Sequence, residues 1–149
     1  MRFVIQRVQY ASVTVDNNVI GKINNGFMVL IGVENADTKE IADKMVSKLV
    51  NMRIFQDEND KMNLSLLDIQ GEVLLISQFT LYGDARKGRR PNFMNALGGE
   101  EAKKFYDKFI EMMKETGLKV QTGIFGADMK VDIKNDGPVT ILLDSSRNF

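Results

Sequence analysis

Four consecutive bulky apolar residues, Val73-Leu74-Leu75-Ile76, run straight into Ser77-Gln78-Phe79-Thr80, where hydroxyls and an amide stand among hydrophobes. The apolar run has strand length, and apolar side chains at successive positions are the mark of a buried strand. Its polar end has two readings. Ser77, Gln78 and Thr80 either bond neighbouring strands and loops, a common arrangement, or are presented to a ligand. A second element far downstream, Asn135-Asp136-Gly137-Pro138-Val139-Thr140, bears on the choice.

The chain has 149 residues, 44% of them hydrophobic, which suits one domain spanning residues 1–149 with a real core. Lys+Arg and Asp+Glu balance at 20 each, so the overall basic excess of a protein that binds long nucleic acid is absent and any RNA contact must be local. No run of about 18 apolar residues or leader-like start is present, so a cytoplasmic protein without membrane contact is expected. With no cysteine and no histidine, thiol nucleophiles, thiolate sites and Ser-His-Asp or Cys-His triads are excluded. A hydrolase built from this chain must use carboxylates, backbone dipoles, hydroxyls without a histidine partner, or a group carried by its substrate. Acidic residues are scattered rather than clustered at ligand spacing, and neither a metal nor another cofactor is expected.

Phe3–Val8 and Ser12–Val15 read as short strands, Asp16-Asn17-Asn18 as a turn, Val19–Ile23 as a return strand, and Phe27–Val33 as a further strand after Asn24-Asn25-Gly26. The opening third thus predicts an antiparallel meander. Asp37 and Glu40 resemble a capping box ahead of a helix with Ile41, Met45, Leu49 and Met52 at helical spacing. A second helix follows Gly98-Gly99, with a stripe of Ala102, Phe105, Tyr106, Phe109, Ile110 and Met113 and a stop at Gly117. Met129, Val131 and Ile133 alternate with Lys130, Asp132 and Lys134, and Asp136-Gly137 reads as the connection to the strand Val139–Leu143. The fold class is α+β: a mainly antiparallel or mixed sheet closing toward a barrel, with two principal helices packed on one side.

Ser77-Gln78-Phe79-Thr80 together with Asn135-x-Gly137-Pro138-Val139-Thr140, the start Arg7-Val8-x-x-Ala11-x-Val13-x-Val15, and Gly88-Arg89-Arg90-Pro91-Asn92-Phe93 resemble the D-aminoacyl-tRNA deacylase family along essentially the whole chain. The resemblance implies hydrolysis of the ester between a D-amino acid, or mischarged glycine, and the terminal adenosine of tRNA, with L-aminoacyl-tRNA spared. It implies that Gly137-Pro138 is the chirality filter. A cis bond before proline costs only about 0.5–1 kcal/mol, so a fold can hold it and turn two carbonyl oxygens toward the substrate amino group. The same resemblance implies a homodimer in which each subunit's filter enters the other's site. Arg7 is the candidate support of the filter, a task that suits its planar fork, although an edge-facing side chain is the simpler reading of its strand position. Phe125 and Met129 match positions lining the adenosine pocket, with burial in the core as the alternative for both.

Ser77, Gln78, Phe79 and Thr80 are the candidate catalytic segment. A threonine hydroxyl is a weak nucleophile without an adjacent base, and no histidine exists to provide one. The expected chemistry is therefore substrate-assisted: the ribose 2′-hydroxyl activates water while the amides near Phe79 and Thr80 stabilise the oxyanion. Arg86, Lys87, Arg89 and Arg90 are candidate phosphate contacts for the acceptor end, or else a solvated charged loop. Two other functions fit the composition: a hydrolase of small D-amino acid esters, and a tRNA-binding module without catalysis.

Overall fold

The computed structural model describes residues 1–149. In chain order the elements are β1 (Arg2–Val15), β2 (Asn18–Ile23), β3 (Gly26–Gly32), α1 (Lys39–Asn51), the small pair β4 (Phe55–Gln56) and β5 (Met62–Leu64), β6 (Glu72–Ser77), α2 (Gly99–Lys114), β7 (Lys119–Thr122) and β8 (Lys130–Asp144). The main sheet runs β2-β1-β3-β6-β7, with β8 paired to β1. β3, β6 and β7 are parallel and the remaining main-sheet pairs antiparallel, so the sheet is mixed.

The apolar runs are continuous because both faces of the sheet are covered. Phe27, Val29, Ile31, Val73 and Leu75 point one way, into a core shared with Ala42, Met45 and Leu49 of α1 and Tyr106, Phe109 and Met113 of α2. Met28, Leu74 and Ile76 point the other way and join Val8, Ala11, Val13 and Ile23 in a second core inside the roll of the sheet. This is the period-two alternation of a strand with apolar residues in both phases. The roll brings β2 back against β7, where a Cβ on Gly21 would lie 2.9 Å from the Thr122 carbonyl oxygen. The sheet therefore approaches a barrel, with both helices on one side.

Four local expectations change. The two opening strands are one 14-residue strand. It is long enough for β2 to pair with its second half and β3 with its first, so the order is β2-β1-β3 and not a meander. Thr38, not Asp37, caps α1, its Oγ1 accepting from the Ile41 N–H at 3.3 Å. Asp37 is engaged elsewhere, accepting from the Glu34 N–H at 2.8 Å and pairing with the α-ammonium of Met1. Finally, Asp136-Gly137 does not join two strands, because β8 continues through it. Gln6 pairs with Thr140 and Val8 with Asn135, so residues 136–139 stand opposite Arg7 alone, as a four-residue bulge.

Candidate active site

β6 carries Ser77 to the edge of the sheet, where the Gln78 N–H donates to the Ile31 carbonyl at 2.7 Å as the last backbone bond of the strand. The chain then turns into a short 3₁₀ helix, Phe79–Tyr82. The N–H groups that open such a turn have no partner within it, and here they belong to Phe79 and Thr80. Beside them lies a cavity of about 630 Å³, within the range of about 300–1,000 Å³ that small-molecule sites occupy. Ser77, Gln78 and Phe79 line its polar end, and Ile31, Val33 and Ile76 its floor. Phe125, Ala127, Met129 and Val131 form one wall, and Gly98, Gly99, Ala102 and Tyr106 the other.

The strand end and the segment before β8 therefore meet in one site. Met129 precedes β8 and lies over Gly123, where any Cβ would collide with its sulfur; like Val131 two residues on, it both lines the cavity and packs against the second core. Phe125 packs against Tyr106 with ring centroids 5.9 Å apart. The Tyr106 hydroxyl donates to the Leu75 carbonyl at 2.8 Å, and burial raises its pKa. Thr80 is not part of the lining: it is exposed, and its Oγ1 accepts a hydrogen bond from Gln78 Nε2.

Gly137-Pro138 lies outside this cavity, exposed in the β8 bulge, with the bond between the two residues cis. Its mount is well defined. Arg7 is 4% exposed, neither edge-facing nor snorkelling. Its Nη1 donates to the Ile54 carbonyl at 2.7 Å and its Nε to the Asp136 carbonyl at 3.2 Å, with the Asp136 carboxylate at 3.3 Å. Asn135 Nδ2 donates to the carbonyls of Arg7 and Val139 at 2.8 and 2.9 Å, bridging the bulge. Gly137 has φ +128°, and a Cβ there would lie 2.7 Å from Val139 Cγ2 and 3.2 Å from Arg7 Nη2. Only glycine fits.

The four cations are also outside the cavity and not equivalent. Arg86 Nε and Nη2 donate to both oxygens of Asp84, at 2.9 and 2.7 Å, which holds that carboxyl far below the usual carboxylate range. Lys87, Arg89 and Arg90 are exposed on the same loop and make no ion pair.

Several site residues escaped sequence reasoning. Tyr106 and Ala102 belong to a stripe that reads as core, and the stripe does not reveal that its first turns overhang a cavity. Phe93 is visible only as the end of the Gly88–Phe93 motif, yet it lines the mouth and meets the Phe79 ring edge-on at 5.1 Å. Beneath the 3₁₀ turn, Arg2 Nη1 donates to the Leu81 carbonyl at 3.0 Å, and its guanidinium stacks 4.5 Å from the centre of the Tyr82 ring.

Fold and site define an α+β protein with an apolar pocket, one end of which is edged by strand-end polar groups and the first amides of a helical turn. Residues 4–144 match the family described as D-Tyr-tRNA(Tyr) deacylase. D-aminoacyl-tRNA deacylases of Clostridium perfringens and Clostridioides difficile are 64% and 58% identical to the chain, each over the full length of both sequences. A solved structure titled c-Myc DNA Unwinding Element Binding Protein superposes with TM-score 0.91 at 44% identity, covering 97% of this chain and 98% of that one. Another, titled a probable eukaryotic D-amino acid tRNA deacylase, shares the fold with TM-score 0.83 at 20% identity, covering 95% and 97%. The chain belongs to the D-Tyr-tRNA(Tyr) deacylase family. It is an enzyme of the hydrolase class.

Proposed function

We propose that the chain hydrolyses the ester of D-aminoacyl-tRNA, and of glycine mischarged on tRNA, and that Gly137-Pro138 excludes L-aminoacyl esters. Water adds to the ester carbonyl, the bond to the ribose oxygen breaks, and the products are the free amino acid and a tRNA with its hydroxyl restored. The observation that carries this reading is the placement of Phe79, whose amide opens the 3₁₀ turn with that of Thr80, on the lining of an apolar cavity of about 630 Å³. Such amides are preorganised donors for a developing oxyanion. Ser77 and Gln78 position the ester and ribose, and Phe125 and Met129 receive the adenine against the cavity wall. The Thr80 hydroxyl accepts from Gln78 and has no basic side chain in its hydrogen-bond set, which favours attack by water assisted by the ribose 2′-hydroxyl over an acyl-threonine.

Gly137-Pro138 is exposed and lies outside its own chain's cavity. That geometry favours a homodimer in which each filter enters the partner's pocket, where its carbonyls grip the substrate amino group. Glycine has no side chain to exclude, so it passes. A substrate drawn from the tRNA pool suits a cytoplasmic enzyme, and no helix of the chain is long and apolar enough to cross a membrane.

The test is a matched pair, D-tyrosyl-tRNA and L-tyrosyl-tRNA, together with a D-tyrosyl-tRNA whose terminal adenosine is 2′-deoxy. The expected result is rapid loss of the D ester alone and slow turnover of the deoxy substrate. Equal loss of D and L esters would remove the filter from the account, and an acyl group trapped on Thr80 would remove the water mechanism.

A further inference from the structure

Phe79 is 56% exposed although it lines the cavity, and its aromatic neighbour is Phe93. Phe93 is itself wedged against Gly83, where a Cβ would lie 3.0 Å from Phe93 Cε1. Gly83 and Phe93 are also the two feet of the cationic loop. Directly above them Asp84 and Asn92 exchange backbone hydrogen bonds at 2.8 and 3.0 Å, and the Asp84–Arg86 pair stiffens the first leg. The exposed ring and the loop are thus one mechanical unit at the cavity mouth. On that unit Lys87, Arg89 and Arg90 are unpaired in a chain whose charges otherwise cancel, 20 against 20. Met94, next to Phe93, is 84% exposed and adds apolar surface.

We infer that this unit binds the single-stranded nucleotides that precede the terminal adenosine of the substrate. One base stacks on the open part of the Phe79 ring, and the phosphates run toward Lys87, Arg89 and Arg90. An aromatic platform beside a line of unpaired cations is the arrangement that takes single-stranded nucleic acid irrespective of sequence, because every base has a π-face and every nucleotide a phosphate. The inference rests on the proposed function for the identity of the RNA. It extends that reading from the ester to the path of the strand and gives Phe79 a role for its side chain, separate from its amide.

The test is binding to the intact protein of a labelled ribotrinucleotide ending in cytidine-cytidine-adenosine, compared with the same strand lacking its middle base. The intact strand is expected to bind about 5-fold tighter or more, the lower bound for one stacked base. The gap should close in Phe79→Leu and persist in Phe79→Tyr, which keeps the ring. Neutralising Lys87, Arg89 and Arg90 to serine should reduce the salt dependence of binding, by about 0.7 in logarithmic slope for each phosphate that no longer meets a cation. Equal affinity for the two strands in the unsubstituted protein, or a gap unchanged in Phe79→Leu, would overturn the inference. In parallel, a protein that shows the gap but cleaves no D-tyrosyl ester would overturn the proposed function alone. One that cleaves the ester of D-tyrosyl-adenosine but shows no gap would overturn this inference alone.

Discussion

Replacing Arg7 by methionine keeps the buried apolar stem and deletes the guanidinium, so the change reads out what the fork does. The deletion leaves the buried Ile54 carbonyl without its donor at 2.7 Å, at a cost of about 1–3 kcal/mol for an orphaned polar group. The weaker bond to the Asp136 carbonyl at 3.2 Å adds about 0.5–1.5 kcal/mol. The ion pair with the half-buried Asp136 carboxylate adds little, about 0–1 kcal/mol, because solvent screens it. The sum centres on about 3.5 kcal/mol, which for a domain of this size lowers Tm by roughly 7–14 °C. Thermal unfolding followed by circular dichroism measures that. The second readout is chiral: with the bulge of β8 unanchored, L-tyrosyl-tRNA should begin to be hydrolysed. Arg7→Lys keeps the charge but lacks the fork that serves carbonyls on two segments, and should fall between. A methionine variant that melts within about 2 °C of the parent and still spares the L ester would refute the assignment of Arg7 as the mount of Gly137-Pro138.

Two further outcomes follow from burial and from the bonds beneath the 3₁₀ turn. Burial raises the phenols of Tyr82 and Tyr106 above the ordinary value of 10.0, so in alkali the unfolded chain releases these protons first, and stability should fall as pH climbs past that value. With two of the three tyrosines held protonated, native absorbance at 295 nm should rise by no more than about a third of the unfolded change before the protein unfolds, and a full rise in the native state would contradict the packing. Arg2→Met removes the donor to the Leu81 carbonyl, the stack on Tyr82 and the Nε bond to the buried Asp144 carboxylate at 3.0 Å. Loosening the turn should lower kcat about 10-fold or more with little change in KM, since a hydrogen bond from a charged donor is worth about 1.5–3 kcal/mol; a change in KM alone would argue against the link.

Elements set by local pattern were legible in the sequence. The apolar run at Val73 needs only burial on both faces, and the stripe from Ala102 to Met113 needs only helical spacing. Features set by long-range partners were not. Asp37 and Thr38 are both sound caps, and the choice between them turns on Met1 and Glu34, which the fold brings alongside. Asp136-Gly137-Pro138 has the composition of a turn, yet Asn135 and Arg7 together hold it inside a continuous strand. Met129 sits in an alternation that predicts core, and only the absent side chain at Gly123 gives it room beside the cavity. Of the motif residues, Ser77, Gln78, Phe79 and Phe93 line the cavity while Gly137-Pro138 lies outside it, and the helix wall formed by Ala102 and Tyr106 depends on how α2 lies across the sheet.

β8 pairs with β1 along one side only, which leaves the longest strand of the chain, at 15 residues, with an unpaired outer side. A long open edge is a template on which further copies can add without limit, the route to fibrous aggregates. Pro138 breaks that template near its middle, since it offers no N–H to an incoming strand, and Lys130, Asp132 and Lys134 set charges along the approach. The proline assigned to stereochemical exclusion therefore also guards solubility. A substitution that relaxes it should be screened for turbidity and sedimenting species as well as for lost fidelity.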